Sequence, residues 1–251
     1  MKPIYRVTLL AAMVTLLTIM PALASEMDDR IESSARDSYV FKTFLKGDDI
    51  KIQSKDGAVT LTGIVSEESR RGLANETVAG LPEVKSVDNR LEIKGAPPTP
   101  NSDAWLTEKV KAILLFHRNV STIATEVYVK GGIVTLRGDA ASQAQKELTT
   151  EYAKDVEGVK DVNNEMTVSK TSGMTMARVF GKIDDASIAA QIKMALLFHR
   201  STSALSTKVE TNDGVVTIYG KAMNAAEKEL VTKLVNDING VKSVDNRMTI
   251  E

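Results

Sequence analysis

The sequence contains no cysteine, two histidines and one tryptophan, and aromatic residues fill only 4% of its 251 positions. Without cysteine there is no disulfide framework, no thiolate nucleophile and no Cys-ligated zinc or iron–sulfur centre. Two histidines are too few for an all-histidine metal site within one chain. An excess of charge of one sign is also lacking. The 32 basic and 33 acidic residues leave a net charge of −1, which gives no global field to draw nucleic acid, and no nucleic-acid partner is expected. What remains, 43% hydrophobic and 26% charged, is globular material sufficient for one large domain or two to three small ones.

Residues 1–24 read as a secretory signal peptide. Lys2 and Arg6 form a positive start, an apolar run extends from Val7 to Met20, and Pro21-Ala22-Leu23-Ala24 supplies the small-x-small pattern of a cleavage site. The run is short for a membrane span and is followed at once by Glu26, Asp28 and Asp29. Cleavage after Ala24 and a periplasmic destination are therefore expected, and a cysteine-free exported chain suits an oxidising compartment.

The rest of the chain repeats itself three times. Lys55-Asp56-Gly57-Ala58-Val59-Thr60-Leu61-Thr62-Gly63 recurs after 75 residues as Lys130 to Gly138 and after a further 82 as Asn212 to Gly220. Val84-Lys85-Ser86-Val87-Asp88-Asn89-Arg90 recurs at the same offsets as Val159 to Glu165 and Val241 to Arg247. Leu114-Leu115-Phe116-His117-Arg118 returns as Leu196 to Arg200, where the first copy has Tyr39-Val40-Phe41-Lys42-Thr43. Residues 106–169 match 188–251 at 27 of 64 positions, whereas 31–94 match 106–169 at only 13, so the second and third copies are the closer pair. A repeat of this length is a domain rather than a solenoid unit. The expected domains are 25–94, 103–170 and 184–251, joined by a Pro-rich spacer at 95–102 and a second linker at 171–183.

Within each copy the apolar period changes in a fixed order. In the third, Ile188, Ile192, Ala195, Leu196 and Phe198 fall at helical spacing behind an N-cap at Asp184 or Asp185. Val209 opens an alternating stretch that turns at Asn212-Asp213-Gly214 and returns through Val216 and Ile218. Asn224-x-x-Glu227 is a capping box, Leu230, Leu234 and Ile238 make a helix face, and Val244 to Ile250 alternate as a closing strand. The second copy has Ser142-x-x-Gln145 as its box and Leu148, Tyr152 and Val156 on the face, while the first has Leu73, Thr77 and Leu81. The fold class read from this is α+β: three tandem small domains, each helix-strand-strand-helix-strand, with a three-stranded sheet packed against two helices.

This order, the Gly-x-Val-x-Leu-x-Gly hairpin and the Gly-Val-Lys-x-Val-x-Asn entry to the last strand resemble the BON domain, named for bacterial osmotic and nodulation proteins. The first copy departs at Leu81-Pro82-Glu83, where Glu83 replaces the glycine before the valine and puts the loop shape in question. The resemblance implies a cell-envelope role with attachment to phospholipid surfaces, and it implies no enzyme.

The recurrent polar residues divide by the role their types suit. Gly57, Gly132 and Gly214 supply positive φ in the hairpin turns, and Gly63, Gly138 and Gly220 end the second strands. Asn89, Asn164 and Asn246 share parity with the apolar residues of the last strand, so they are expected to bond neighbouring backbone as a fold device, with a ligand contact as the alternative. His117 and His199 sit at the ends of first helices, where cationic side chains suit the dipole; a shared metal would require two domains to face one another. Asp28-Asp29 falls at a helix start, where acids complement the same dipole.

Lys85, Lys160 and Lys242 beside the last strands, with Arg90 and Arg247 on their polar face, are the candidate surface-binding residues. No copy is basic overall, so any contact with anionic head groups must be local and weak, strengthened by the linkage of three copies. No catalytic, cofactor or metal residues are assigned. Two partners remain open: a phospholipid membrane surface bound peripherally, or unfolded or transiting periplasmic proteins held by a chaperone or scaffold.

Overall fold

Each copy is organised around its hairpin. The turn residues Asp56-Gly57, Gly131-Gly132 and Asp213-Gly214 all have positive φ, the type I′ geometry whose twist matches that of the flanking strands. The computed structural model describes residues 26–96, 98–120, 125–169, 182–202 and 207–251; the expected signal peptide and most of the second linker lie outside them.

The first copy comprises α1 (26–37), α2 (Tyr39–Thr43), β1 (Asp49–Lys55), β2 (Ala58–Val65), α3 (Glu68–Ala79) and β3 (Ser86–Ile93). Strand β2 is central, antiparallel to β1 and parallel to β3. The second has α4 (Asp103–Phe116), β4 (Thr125–Lys130), β5 (Ile133–Ala140), α5 (Gln143–Lys154) and a last strand in two pieces, β6 (Asp161–Asn164) and β7 (Thr167–Val168), both parallel to β5. The third repeats this with α6 (Asp185–Phe198), β8 (Lys208–Asn212), β9 (Val215–Tyr219), β10 (Lys221–Ala222), α7 (Ala225–Asn236), β11 (Ser243–Asn246) and β12 (Thr249–Ile250). The α+β order read from the sequence is the order observed.

Both capping boxes form. Ser142 accepts from the Gln145 amide at 3.1 Å and Asn224 from that of Glu227 at 2.9 Å, while Gln145 and Glu227 reach back to the amides of Ala141 and Met223. The buried face of α5 differs from the expected Leu148-Tyr152-Val156 stripe. Leu148 is exposed and Thr149 is fully buried, its hydroxyl satisfied by the Gln145 carbonyl at 2.8 Å. Thr77 solves the same problem on α3 through the Leu73 carbonyl.

The three copies do not behave as separate beads on linkers. Their buried side chains form one continuous cluster, with the helices turned inward and the outer sheet faces turned to solvent. Helix α6 lies in the middle, buried on nearly every side, including Ser187 and Gln191. Against it packs α3 of the first copy, where Gly72 faces the thioether of Met194 and Gly80 faces Ala186. Lys193 on α6 meets Glu76 on α3 at 2.8 Å.

The first copy also breaks its entry helix at Ser38 to fit. The freed amides of Tyr39 and Val40 are taken by the Asp184 carboxylate at 2.7 Å and the Ser187 hydroxyl at 3.1 Å, both from the start of α6. Phe44 then packs edge-on against Phe116 of the second copy, ring centroids 5.8 Å apart.

Glu83 settles the doubt about the divergent loop. It adopts φ 67°, in the same left-handed region as its counterparts Gly158 at 94° and Gly240 at 89°, so the loop shape is kept despite the lost glycine.

Candidate functional site

The candidate lysines lie against the hairpin turns. Lys85 donates to the Asp56 carbonyl at 2.8 Å, Lys160 to that of Gly131 at 3.0 Å, and Lys242 pairs with the Asp213 carboxylate at 3.0 Å. Their aliphatic stems cover Gly57, Gly132 and Gly214, where a Cβ would come within 3.3, 3.2 and 3.1 Å of lysine carbons.

The other side of each turn is held by an aspartate from the first helix. Asp28 accepts from the amides of Asp56 and Gly57, Asp103 from Gly131 and Gly132, and Asp185 from Asp213 and Gly214, all at 2.7–3.0 Å. The Asp103 carboxyl is held below its ordinary range by the Gly131 and then the Gly132 amide, with Lys160 adding to the effect. Hydrogen bonds from Ser54 and then Gly57 do the same for Asp28.

These aspartates are a recurrence that the reading of Asp28-Asp29 as dipole complements missed. They sit at the same offsets of 75 and 82 as the other blocks, and that spacing was the available signal. Each candidate lysine therefore stands beside a fixed carboxylate, which weakens the field it projects.

Arg90 is paired with Asp88 at 2.6 Å and Arg247 with Asp245 at 2.7 Å, all four side chains largely exposed. The second copy reverses the pattern, with Arg137 on β5 bonded to Glu165.

The three asparagines connect the last strand to the second helix. The Asn89 amide donates to the Arg71 carbonyl, Asn164 to the Lys146 carbonyl and the Thr150 hydroxyl, and Asn246 to the Lys228 carbonyl and the Thr232 hydroxyl. Each amide oxygen in turn accepts from the backbone two residues on, at Leu91, Met166 and Met248. In the second and third copies this bond sits at the interruption between the two pieces of the last strand.

The Phe-His-Arg repeat forms something the sequence did not disclose: a reciprocal joint between the second and third copies. Each tripeptide leaves its helix and meets the C-terminal end of the other copy's second helix. The Arg118 amide donates to the Asp237 carbonyl at 3.0 Å, and the Arg200 amide donates to that of Asp155 at 2.9 Å. The Arg118 guanidinium gathers the carbonyls of Asn236, Ile238 and Val241, while that of Arg200 gathers those of Lys154, Val156 and Val159. Isolated bridges join His117 to Ile238 and His199 to Val156, completing an approximate two-fold contact.

Both histidines are buried in this joint, at 3% and 8% exposure, rather than serving as solvated cations at a helix end. His117 stacks on Tyr152, centroids 3.7 Å apart and nearly parallel, and the Tyr152 hydroxyl donates to Asp237 across the joint at 2.9 Å. His199 accepts from the Ser201 amide through Nδ1, and its Nε2 lies 3.8 Å from the Asp155 carboxylate. The two domains thus do face one another. No group of three or more histidine, aspartate or glutamate side chains suited to a metal ion occurs among the described residues.

Comparison with known proteins gives three matches to the family model described as BON domain, at residues 27–95, 102–170 and 184–251. Osmotically-inducible protein Y of Escherichia coli strain K12 is 32% identical over 197 residues, covering 78% of this chain and 95% of that protein. The outer membrane lipoprotein DolP of Haemophilus influenzae is 30% identical over 114 residues, covering 45% of this chain and 55% of DolP. A solved structure of CdsD, a structural protein of the type III secretion system of Chlamydia trachomatis, covers 88% of this chain and 90% of its own at 16% identity and a TM-score of 0.25, a likeness too low to carry an argument.

Proposed function

The chain belongs to the BON domain family, and on that premise we propose that it serves the bacterial cell envelope without catalysing a reaction, attaching weakly and peripherally to phospholipid surfaces under osmotic or other stress. The names of its relatives support the setting: one is osmotically inducible and another is an outer membrane lipoprotein. The N-terminal signal-like segment supports delivery to the periplasm.

The observation that carries the reading is the inward packing of the helices. It leaves the sheet faces and hairpin ends as the outer surface, and each hairpin end presents a lysine at the same place in every copy. Attachment is weak because each of these cations has a carboxylate or carbonyl partner of its own. Among the described residues, no helix is long and apolar enough to cross a membrane.

Co-sedimentation with vesicles of neutral lipid, alone or mixed with anionic lipid, tests this at low and moderate salt. Binding should require the anionic component and fade with salt. No binding at any composition removes the lipid reading.

A second reading, a chaperone or scaffold for unfolded or transiting periplasmic chains, is favoured by Met223 and Ile250. These are 64% and 52% exposed beside the short β10–β12 ladder. Suppression of the aggregation of an unfolded client, lost on Met223→Ser, would favour it.

A further inference from the structure

The chain's only two histidines, 82 residues apart, lie in the same domain joint. Burial there leaves His117 Nδ1 and His199 Nε2 without a hydrogen-bond partner. A proton added to His117 creates a charge with little solvent, on a ring whose Nδ1 is buried without a partner.

The titratable and charged groups facing the pair are Tyr152 and Asp155 from α5 and its cap, Asp237 from the cap of α7, and the two joint arginines, Arg118 and Arg200. Ile113, Ala195 and Leu234 supply the apolar remainder. The Asp155 carboxylate favours an added positive charge on His117, but less than burial opposes it. Asp237 is already engaged by the Tyr152 hydroxyl.

We propose that this joint is a proton-controlled latch: protonation of His117 releases the second domain from the third while both domains stay folded. Release would uncover Phe116, Phe198, Val156 and Ile238, all now buried.

The direction follows from linkage. Burial depresses the His117 pKa from 6.5 to about 4, with the nearby His199 adding to the effect and the Asp237 backbone opposing it. The open state binds the proton more tightly than the closed one. The closed-to-open ratio is therefore highest above about pH 6.5 and falls progressively as the pH drops toward about 4. A gap of about 2.5 pH units corresponds to a roughly 300-fold shift in the closed-to-open ratio across that window.

The absence of cysteine makes a direct test available. Glu147 and Glu229, equivalent exposed positions on α5 and α7, are replaced by cysteine in the full chain and spin-labelled, and the distance between labels is measured by pulsed electron resonance from pH 7.5 to pH 4. The expected result is one narrow distance at neutral pH and a second, longer population that grows reversibly below about pH 6.5, with helical circular dichroism unchanged.

His117→Gln keeps a donor but cannot take up the proton, so it should hold the narrow distance to lower pH. His117→Phe, which keeps the ring on Tyr152, serves as the non-titrating control should the amide fail to close the joint at pH 7.5. Absence of the longer population above pH 4 overturns the latch. So does its persistence, undiminished, in a non-titrating variant that is closed at neutral pH.

Discussion

Removing the two joint arginines one at a time and then together tests whether the contact between the second and third domains acts as a unit. Arg118 donates to three main-chain carbonyls, two of them on the fully buried residues Ile238 and Val241. A charge-assisted hydrogen bond contributes about 1.5–3 kcal/mol, but Arg118 as a whole is only half-buried, so water replaces part of the loss. Arg118→Ala should therefore cost about 2–3 kcal/mol. The more exposed Arg200 should cost about 1–2 kcal/mol.

Neither change should unfold the chain, because the main-chain bonds of the joint remain, including Asn239 N to the Phe116 carbonyl at 2.9 Å and Glu157 N to the Phe198 carbonyl at 3.0 Å. Once one arginine is gone and the joint is loosened, the other has less to hold. The double variant should therefore fall short of the sum by at least about 0.5 kcal/mol. Urea unfolding followed by the single tryptophan, Trp105, measures all three. Its ring carries the Lys109 ammonium 3.5 Å from its centroid, and Lys109 also approaches Phe198 of the third domain, so the probe sits at the joint. Strict additivity would refute the reasoning, since it would make the arginines two independent surface contacts.

Further outcomes follow from other parts of the molecule. Asn246→Ala deprives the Met248 amide and the Thr232 hydroxyl of a partner and should lower stability by about 2 kcal/mol, read as a fall in Tm; an unchanged Tm with lost vesicle binding would instead make Asn246 a ligand contact. Glu83→Gly relieves a left-handed residue at the cost of one exposed pair with Arg30, and thermal unfolding should show a gain of about 0.5–1 kcal/mol; a loss would show that the pair outweighs the strain. The folded Asp103 pKa lies below its ordinary 3.8, so its contribution is present above that value and is lost as the pH falls through the folded value. Asp103→Asn should accordingly show a smaller loss of stability than the native chain between about pH 7 and pH 3, and equal losses would remove Asp103 from the acid response.

The individual domain was legible in the sequence because every element of it leaves a local trace. Val209 to Ile218 alternate around a turn that demands positive φ, and Asn224-x-x-Glu227 marks a helix start. The assembly of the three was not legible, for a physical reason. Arg118 and Arg200 bind main-chain carbonyls, which every residue possesses and no side-chain pattern announces.

The recurrence of Leu-Leu-Phe-His-Arg was visible, yet a histidine at a helix end has a simpler local explanation, and only its burial against Tyr152 shows otherwise. The turn-holding role of Asp28, Asp103 and Asp185 is hidden similarly: their recurrence is present, but their partners are backbone amides 28 and 29 residues away. The all-round apolar character of α6 was partly readable in Ile188, Ala189, Ala190, Ile192 and Ala195, which leave little polar face for solvent.

A two-fold contact is exhausted by two members. Once the second and third domains have engaged each other's helix ends, a third copy of the Phe-His-Arg device has nothing left to grip. The first domain has Phe41-Lys42-Thr43 at that position and is held by other means, through Asp184, Ser187 and the α3–α6 packing. An odd number of copies thus sets a rule of valence. The paired domains are bound to keep matching ends, while the unpaired one is released from that obligation, and the far lower identity of the first copy to the second is the record such freedom would leave.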